Sequence, residues 1–324
     1  MKSIDNANLG AALQARNRAI GYHLFDPNVS FIDVGLKIKE SEKRLIDKLT
    51  VRVHLRLKPR GSAFEAFAMT YPDRIVDAGK IGFPVDIIEG DYRLQQWPAP
   101  PPRGRVFDPL CGGISISNEW SFGYGTLGGI VIDRDTGKRM ILSNNHVLAV
   151  SPYVQPGLRT FQPGYGDGGR LQHTVARFTR DGMNVDIDAA VAELTDDRAV
   201  NNDQFELEGV TGLGDPRPEM RVIKSGRGSR VTKGIITSSG FGGVAKITYG
   251  GFTRVIHHVF HIFKVPDSHQ VSTGGDSGSW WLEEGTNKVV GLHFAGNSIY
   301  EPKEYGLAIK MANVLNALNV DLML

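Results

Sequence analysis

Beyond residue 112 the chain is cut into short runs of β-forming residues by glycine-rich turns, and this punctuation restricts its fold more than any other feature. The runs include "GTLGGIVID", "RMILSNN", "DAAVAEL", "GIITSSG", "AKITYGG", "RVIHHVFHIFKV" and "KVVGLHFAG". Glycine at such intervals disfavours long helices, whereas the β-branched and aromatic residues between suit strands. Many short strands with frequent turn signals point to a barrel or a sandwich. Only the end departs from the pattern. "YGLAIKMANVLNALNV" places Ile309, Val314, Leu315 and Leu318 near helical spacing, so a mainly β core closed by a C-terminal helix is expected.

A proline-rich seam, "WPAPPPRGR" from Trp97 to Arg105, precedes this region and reads as an extended, exposed connection. It divides the chain into residues 1–96, a linker over 97–111, and residues 112–324. In the first part "ANLGAALQARNRAIGYHLF" suits a helix and "FPVDIIEG" a strand. "LTVRVHLRLK" alternates Val51, Val53, Leu55 and Leu57 with Arg52, His54, Arg56 and Lys58. A small α/β domain is expected, with the basic face of that strand in solvent.

Composition removes several functions. The formal net charge is +2 and no block of five like charges occurs, so the footprint of a nucleic-acid binder is missing. No stretch approaches the length of a membrane-spanning helix, and the first residues lack the pattern of a secretory signal. Cys111 is the only cysteine, which rules out intramolecular disulfides; a cytoplasmic protein without a membrane partner is expected. Nothing calls for a cofactor or metal. In "HHVFH", His257 and His261 share a strand face while His258 points away, with no acid or cysteine beside them, so structural histidines are expected. "KSGRGSR", Lys224 to Arg230, lacks the spacing of a phosphate loop and reads as a β-turn, and "FQPGYGDGGR" reads as a surface loop near a cleft.

Chemistry concentrates in three places. "TGGDSGSW", Thr273 to Trp280, offers Ser277 either as a nucleophile or as a turn serine. In "MILSNNHVLAV" an apolar strand ends in polar residues and delivers His146, where a general base could be held with one ring face open. In "NVDIDAAVAEL" an acid precedes a small-apolar run fit for a buried strand, so its carboxylate could orient an imidazole; both Asp186 and Asp188 qualify. Histidine, acid and serine in that chain order weigh against an α/β-hydrolase, in which the nucleophile comes first, within G-x-S-x-G.

On these residues the chain resembles the trypsin/chymotrypsin superfamily of serine proteases. "GDSGS" resembles its nucleophile loop, "LSNNHVLA" is similar to its histidine segment, and "DAAV" looks like its acid followed by a short apolar strand. The resemblance covers roughly Gly112 to Val320. It implies a chymotrypsin-like double β-barrel with the site in the cleft between barrels. It also implies a serine endopeptidase acting through an acyl-enzyme, with Ser277 as nucleophile, His146 as general base and Asp188, rather than Asp186, as the orienting acid. Gly275 would let the loop turn its own N–H and that of Ser277 toward the oxyanion, worth about 3 kcal/mol per donor in other hydrolases. Asp276 in the same loop needs a buried partner. In trypsins that partner is an amine released by cleavage; with no clear activation sequence before "CGGISI", an internal donor is expected here rather than processing near Arg105.

"STGGDSGS" with "GLHFAG" is especially similar to glutamyl endopeptidases. That likeness implies a pocket in which His293 and Ser272 bind an acidic P1 side chain, beside a strand, Phe294, Ala295 and Gly296, that pairs with extended peptide. Val271, where trypsins carry a pocket aspartate, argues against Lys/Arg specificity. The arrangement of domains also resembles bacterial trypsin-like proteins, and the plant narrow-leaf type, that carry a small N-terminal domain. This implies a protein or peptide substrate, with the N-terminal domain as regulator, partner dock or self-association surface. The rival reading is a catalytically silent, protease-fold module that grips peptide without cutting it.

Overall fold

The glycine-punctuated runs pair as antiparallel strands in a computed structural model that describes residues 6–39, 44–93, 102–149, 154–195, 198–238, 242–249, 252–297 and 305–324. The N-terminal part forms helix α1 (Asn6–His23), strands β1 (Val29–Lys39) and β2 (Arg44–Leu55), helices α2 (Ser62–Thr70) and α3 (Ala78–Ile81), then β3 (Val85–Glu89) and β4 (Tyr92–Arg93). Ala12, Ala15 and Ala19 give α1 a small-residue face, buried against Val29, Ile32, Val34, Val51 and Val53 of the sheet. β1 and β2 pair antiparallel, and β3 runs parallel to β2.

Next come β5 (Leu110–Gly112), β6 (Ser115–Asn118), β7 (Gly125–Thr126), β8 (Gly129–Asp133), β9 (Arg139–Ser143), α4 (Asn145–Leu148), β10 (Arg159–Phe161), β11 (Thr174–Asp181), β12 (Ala190–Leu194), β13 (Val200–Gln204) and β14 (Gly212–Leu213). A second series follows: β15 (Arg221–Gly226), β16 (Arg230–Ile236), β17 (Gly243–Tyr249), β18 (Phe252–Lys264), β19 (Trp280–Glu283), β20 (Lys288–Asn297), β21 (Tyr305–Lys310), α5 (Met311–Ala317) and β22 (Val320–Leu322). The first series curls into a barrel-like sheet in the order β22-β8-β9-β12-β11-β10-β6-β7, around Ile116, Ile130, Ile141, Phe178 and Ala192. In the second, β20-β19-β15-β16-β18-β21 closes on itself, because β21 pairs with both β18 and β20. Val222, Ile236, Phe260, Ile262, Trp281 and Val290 fill it. The chain is thus mainly β, a double barrel with a short C-terminal helix, preceded by an α/β unit. No helix among the described residues is long and apolar enough to cross a membrane.

That α/β unit does not stand apart from the barrels. β17 leaves β18 as a hairpin and pairs with β1, Phe31 opposite Ala245 and Ile32 opposite Val244. The N-terminal sheet therefore continues the sheet of the second barrel, and Phe31, Ile88 and Tyr92 share a core cluster with barrel residues.

Four expectations change. The basic face of β2 is not solvated where β1 and the barrel cover it: Arg52 and His54 are fully buried. Asp33 sits directly across the ladder from Arg52, accepts from its guanidinium, and also accepts from Ser238 at the barrel junction. A buried charge is tolerated there because it is paired and hydrogen-bonded. In the linker, residues 97–101 lie outside the described residues; of the rest, Arg105, Val106, Asp108 and Pro109 are exposed as expected, but the segment is anchored at Arg103 and Phe107. Arg103 is buried and donates to Ser225 Oγ at 2.7 Å, Gly226 O at 2.7 Å and Glu206 at 2.8 Å. At the C-terminus Tyr305–Lys310 is strand, with Ile309 pairing with both Val259 and Leu292, so the helix is reduced to Met311–Ala317. Finally, His258 adopts φ +58° at a bulge opposite β17, which breaks the alternation assumed for the three histidines.

Candidate active site

β9 ends at Ser143, and the single turn of α4 then presents His146, whose side chain is 16% exposed. β12, paired with β9 so that Ala190 faces Ser143, brings the preceding Asp188 under that turn. Asp188 is fully buried, and a carboxylate in such a place must collect donors. It does so: Oδ2 lies 2.6 Å from His146 Nδ1, Oδ1 accepts from the His146 N–H at 3.2 Å, and Tyr249 Oη donates to Oδ2 at 3.0 Å. Asn144 Nδ2 adds a bond of 2.7 Å to the Asp188 carbonyl. Burial and the Asp188 charge push the Tyr249 phenol well above its ordinary pKa of 10.0, so it remains a donor. Asp186 is placed differently. It has φ +59°, its side chain is half-exposed, and its Oδ2 lies 3.9 Å from His257 Nε2.

The Ser277 loop is clamped from the first barrel. Thr126 N donates to Ser277 O at 2.8 Å and Thr126 Oγ1 to Gly275 O at 2.7 Å. Gly125 measures how near the histidine segment comes: a Cβ there would lie 2.5 Å from Val147 Cγ2 and 3.2 Å from Ser277 O. The segment that carries His146 and the Ser277 loop therefore both come up against Gly125 of the first barrel. Among the described residues no hydrogen bond joins Ser277 Oγ to the imidazole; in apo enzymes this bond is often long and tightens when substrate binds.

Among the described residues the N–H groups of Gly274, Gly275 and Ser277 in this loop meet no protein acceptor, and those of Gly275 and Ser277 are the two that flank Asp276. Gly275 has φ +96°, and a Cβ on it would sit 2.8 Å from the Tyr124 ring and 3.2 Å from Arg227 Cδ. Only glycine fits there. Between the two donors, Asp276 points into the second barrel and is fully buried. Its Oδ1 accepts from Gly228 N and Ser229 N, each at 2.8 Å; its Oδ2 accepts from Lys224 Nζ at 2.8 Å, Thr273 N at 3.0 Å and Ser229 Oγ. The internal donor expected for Asp276 is thus Lys224 with the turn that follows it. "KSGRGSR" is a turn, as expected, but one whose groups hold the nucleophile loop. Arg227 of that turn lies 3.2 Å from the Tyr124 ring centroid and pairs with Asp167 of the "FQPGYGDGGR" loop, tying the two barrels together beside Gly275.

The residues expected to select the substrate also converge on β20. His293, Phe294, Ala295 and Gly296 are buried, as are Val271 and Ser272. A Cβ on Gly306 would lie 2.8 Å from Val271 Cγ1 and 3.5 Å from His293 Cε1, so these two side chains flank one space. Trp281 Nε1 donates to His293 Nδ1 at 3.4 Å. Burial, reinforced by the Lys224 ammonium, lowers the His293 pKa to about 3 and keeps the ring neutral. His261 lies elsewhere, its ring tilted against those of His54 and Tyr305.

Tyr249, Lys224, Ser229, Thr126 and Trp281 carry no local signature of their roles. Each acts across a long sequence separation, and each is an ordinary strand or turn residue by type. Lys224 enters the sequence reading only as the first residue of the turn "KSGRGSR", with nothing there to pair it with Asp276.

No protein-family model matches the sequence, and no curated protein matches it. Solved structures similar to the chain include a Nocardiopsis protease, at 15% identity and TM-score 0.48, covering 66% of this chain and 99% of its own. A glutamic-acid-specific serine protease that uses a histidine triad in substrate binding has 16% identity and TM-score 0.49, covering 66% of this chain and 100% of its own. Cellulomonas bogoriensis chymotrypsin has 16% identity and TM-score 0.47, covering 66% and 98%. The likeness is one of fold, and the structures the chain resembles are trypsin/chymotrypsin-like serine proteases.

Proposed function

We propose that the protein is a serine endopeptidase using His146, Asp188 and Ser277. The observation that carries this reading is the buried Asp188 carboxylate bonded to His146 Nδ1, on a turn whose next residue, Val147, comes up against Gly125 as the Ser277 carbonyl does. Asp188 holds the imidazole with hydrogen on Nδ1, leaving Nε2 to take the Ser277 proton as Oγ attacks the peptide carbonyl. The Gly275 and Ser277 N–H groups receive the oxyanion. His146 then returns the proton to the leaving amine, and water releases the acyl group by the same route.

A preference for Glu or Asp at P1 is the finer part of the proposal. It is supported by the pairing of a neutral, oriented His293 with a wall, Val271, that carries no negative charge. Ser272 would supply a hydroxyl to the same carboxylate.

The experiment is cleavage of a diverse peptide mixture by the intact protein and by Ser277→Ala, with a fluorophosphonate probe added to both. Serine-dependent cuts after acidic residues are expected, with the label on wild type alone. Equal labelling of both proteins would remove Ser277 from its role, and cuts after other residues that ignore His293→Ala would remove the acidic pocket. Peptide bound by both proteins, with no cuts and no label, would favour the silent binding module.

A further inference from the structure

The edge of β20 beside the nucleophile changes partner along its length. β19 pairs with it at Leu292, opposite Trp280. At the next residue, His293 N donates to Ser279 O and His293 O accepts from Gly278 N. β21 occupies the other edge, from Gly291 opposite Lys310 to Gly296 opposite Gly306. Yet Gly296 also pairs with Arg93, and Asn297 with Tyr92, in the antiparallel sense. Because β21 already fills one side of Gly296, β4 lies on the side taken at its start by β19 and the Ser277 loop. Only Phe294 and Ala295 separate the two partners.

An extended peptide whose carbonyl reaches Ser277 must add to this same edge, with P1 next to Phe294. At about 3.4 Å per residue its third residue, P3, arrives at Gly296. That place is already filled by the chain itself. The occupant is not a loose tail: Tyr92 is 1% exposed, its Oη lies 2.7 Å from His54 Nδ1, and it packs with Phe31 and Ile88.

We propose that the Tyr92–Arg93 strand closes the peptide-pairing edge at Gly296, so that the site reads P1, P2 and the leaving-group side of a substrate and gains nothing from P3 or beyond. The inference rests on the reading of Ser277 as the nucleophile. The substrate class is then a protein segment recognised around its scissile bond, and the N-terminal unit sets specificity by subtracting subsites.

Binding to Ser277→Ala tests this without turnover. Two fluorescent peptides are built on a cleavage site mapped with the wild-type protein, one spanning P2 to P4′ and the other P4 to P4′. Equal affinities are expected for Ser277→Ala. Adding Arg93→Pro puts into β4 a residue that disfavours strand pairing and should tighten the longer peptide about tenfold, the gain of one or two net hydrogen bonds, while the shorter stays unchanged. Tyr92→Phe, which cuts the tie to His54, should shift the longer peptide in the same direction and decides the matter if Arg93→Pro melts abnormally. A longer peptide that already binds tenfold tighter to Ser277→Ala, or that ignores both variants, overturns the proposal. If the wild-type protein neither cuts nor labels, the functional reading fails and takes this inference with it.

Discussion

Lys224 Nζ lies 2.8 Å from Asp276 Oδ2, with both side chains wholly excluded from solvent. Burial alone would raise the Asp276 pKa, but the Lys224 ammonium and hydrogen bonds from Lys224 and Ser229 overcome it and hold the carboxylate below its ordinary value of 3.8. Since Asp276 stands between Gly275 and Ser277, this pair fixes the direction of both N–H groups. Lys224→Met leaves a buried charge unmatched, which typically costs about 3–5 kcal/mol. Fluorophosphonate labelling should be lost together with stability, while the labelled wild-type chain should keep its full intact mass, because no released amine is needed. The carboxylate binds fewer protons folded than unfolded. Its contribution is therefore complete above 3.8 and is lost as pH falls through the lower folded value, which an acid titration of labelling would follow.

Tyr249 Oη supplies one of the side-chain donors to Asp188, and it comes from β17, the strand that carries the N-terminal sheet. Tyr249→Phe keeps the ring and removes the bond. Without it the carboxylate is less firmly held and the imidazole it orients loses alignment, so kcat should fall about three- to tenfold with KM unchanged. A rise in KM with kcat intact would mean that Tyr249 shapes the binding cleft instead.

What was legible in the sequence is what is encoded locally. His146 at a strand end and Ser277 between glycines show themselves within eight residues each, because a nucleophile loop and a base-bearing turn need particular neighbours. Asp186 and Asp188 qualify alike by local pattern, with the family resemblance alone favouring Asp188; the β9–β12 register buries Asp188 and leaves Asp186 at φ +59°. The alternation of β2 announced a strand but not its cover, since nothing in "VRVHLRLK" tells that Asp33 and Ser238 wait for Arg52. β4 left no signal at all. Two residues of strand are fixed by the edge they meet, not by their own propensity.

Gly275 is predicted to tolerate nothing larger. Gly275→Ala must place a Cβ 2.8 Å from the Tyr124 ring at φ +96°, so the loop shifts and the oxyanion donors move with it. Loss of one aligned donor costs about 10²–10³ in kcat. Steady-state kinetics beside a thermal melt would show whether the loss is in kcat, as expected, or only in folded protein.

The junction between the N-terminal sheet and the second barrel should loosen in mild acid. Burial lowers the pKa of His54 and takes that of His261 well below the ordinary 6.5, with Arg52 and the facing histidine adding to the effect on His261 and Asp33 opposing it in both. Tyr92 and Tyr305 complete the surroundings. Both rings hold fewer protons folded than unfolded, so stability is full above 6.5 and declines as pH falls below it. Hydrogen exchange at the β1–β17 ladder, from Phe31 to Val244, should accelerate on acidification before the first barrel responds. Uniform protection across both barrels would count against a weak junction.

The last prediction concerns the charge that the P1 pocket can accept. Trp281 donates to His293 Nδ1, so the neutral ring carries its hydrogen on Nε2 and offers one donor. Such a ring takes the carbonyl of a Gln side chain as readily as one oxygen of Glu. It gains a charge-assisted bond to Glu only by binding a proton, which its low pKa of about 3 opposes at neutral pH. A carboxylate in the pocket raises that pKa, and the linkage makes the advantage of Glu over Gln grow as pH falls. The ratio of kcat/KM for matched Glu and Gln peptides should climb between about pH 8 and 6, by up to about tenfold per unit if one proton is taken up. The added proton goes to Nδ1 and displaces the Trp281 N–H, so Trp281→Phe should ease its uptake and move the climb to higher pH while leaving Ser277 labelled. A ratio that ignores pH in both proteins would mean that His293 never charges, and that the pocket reads shape rather than charge.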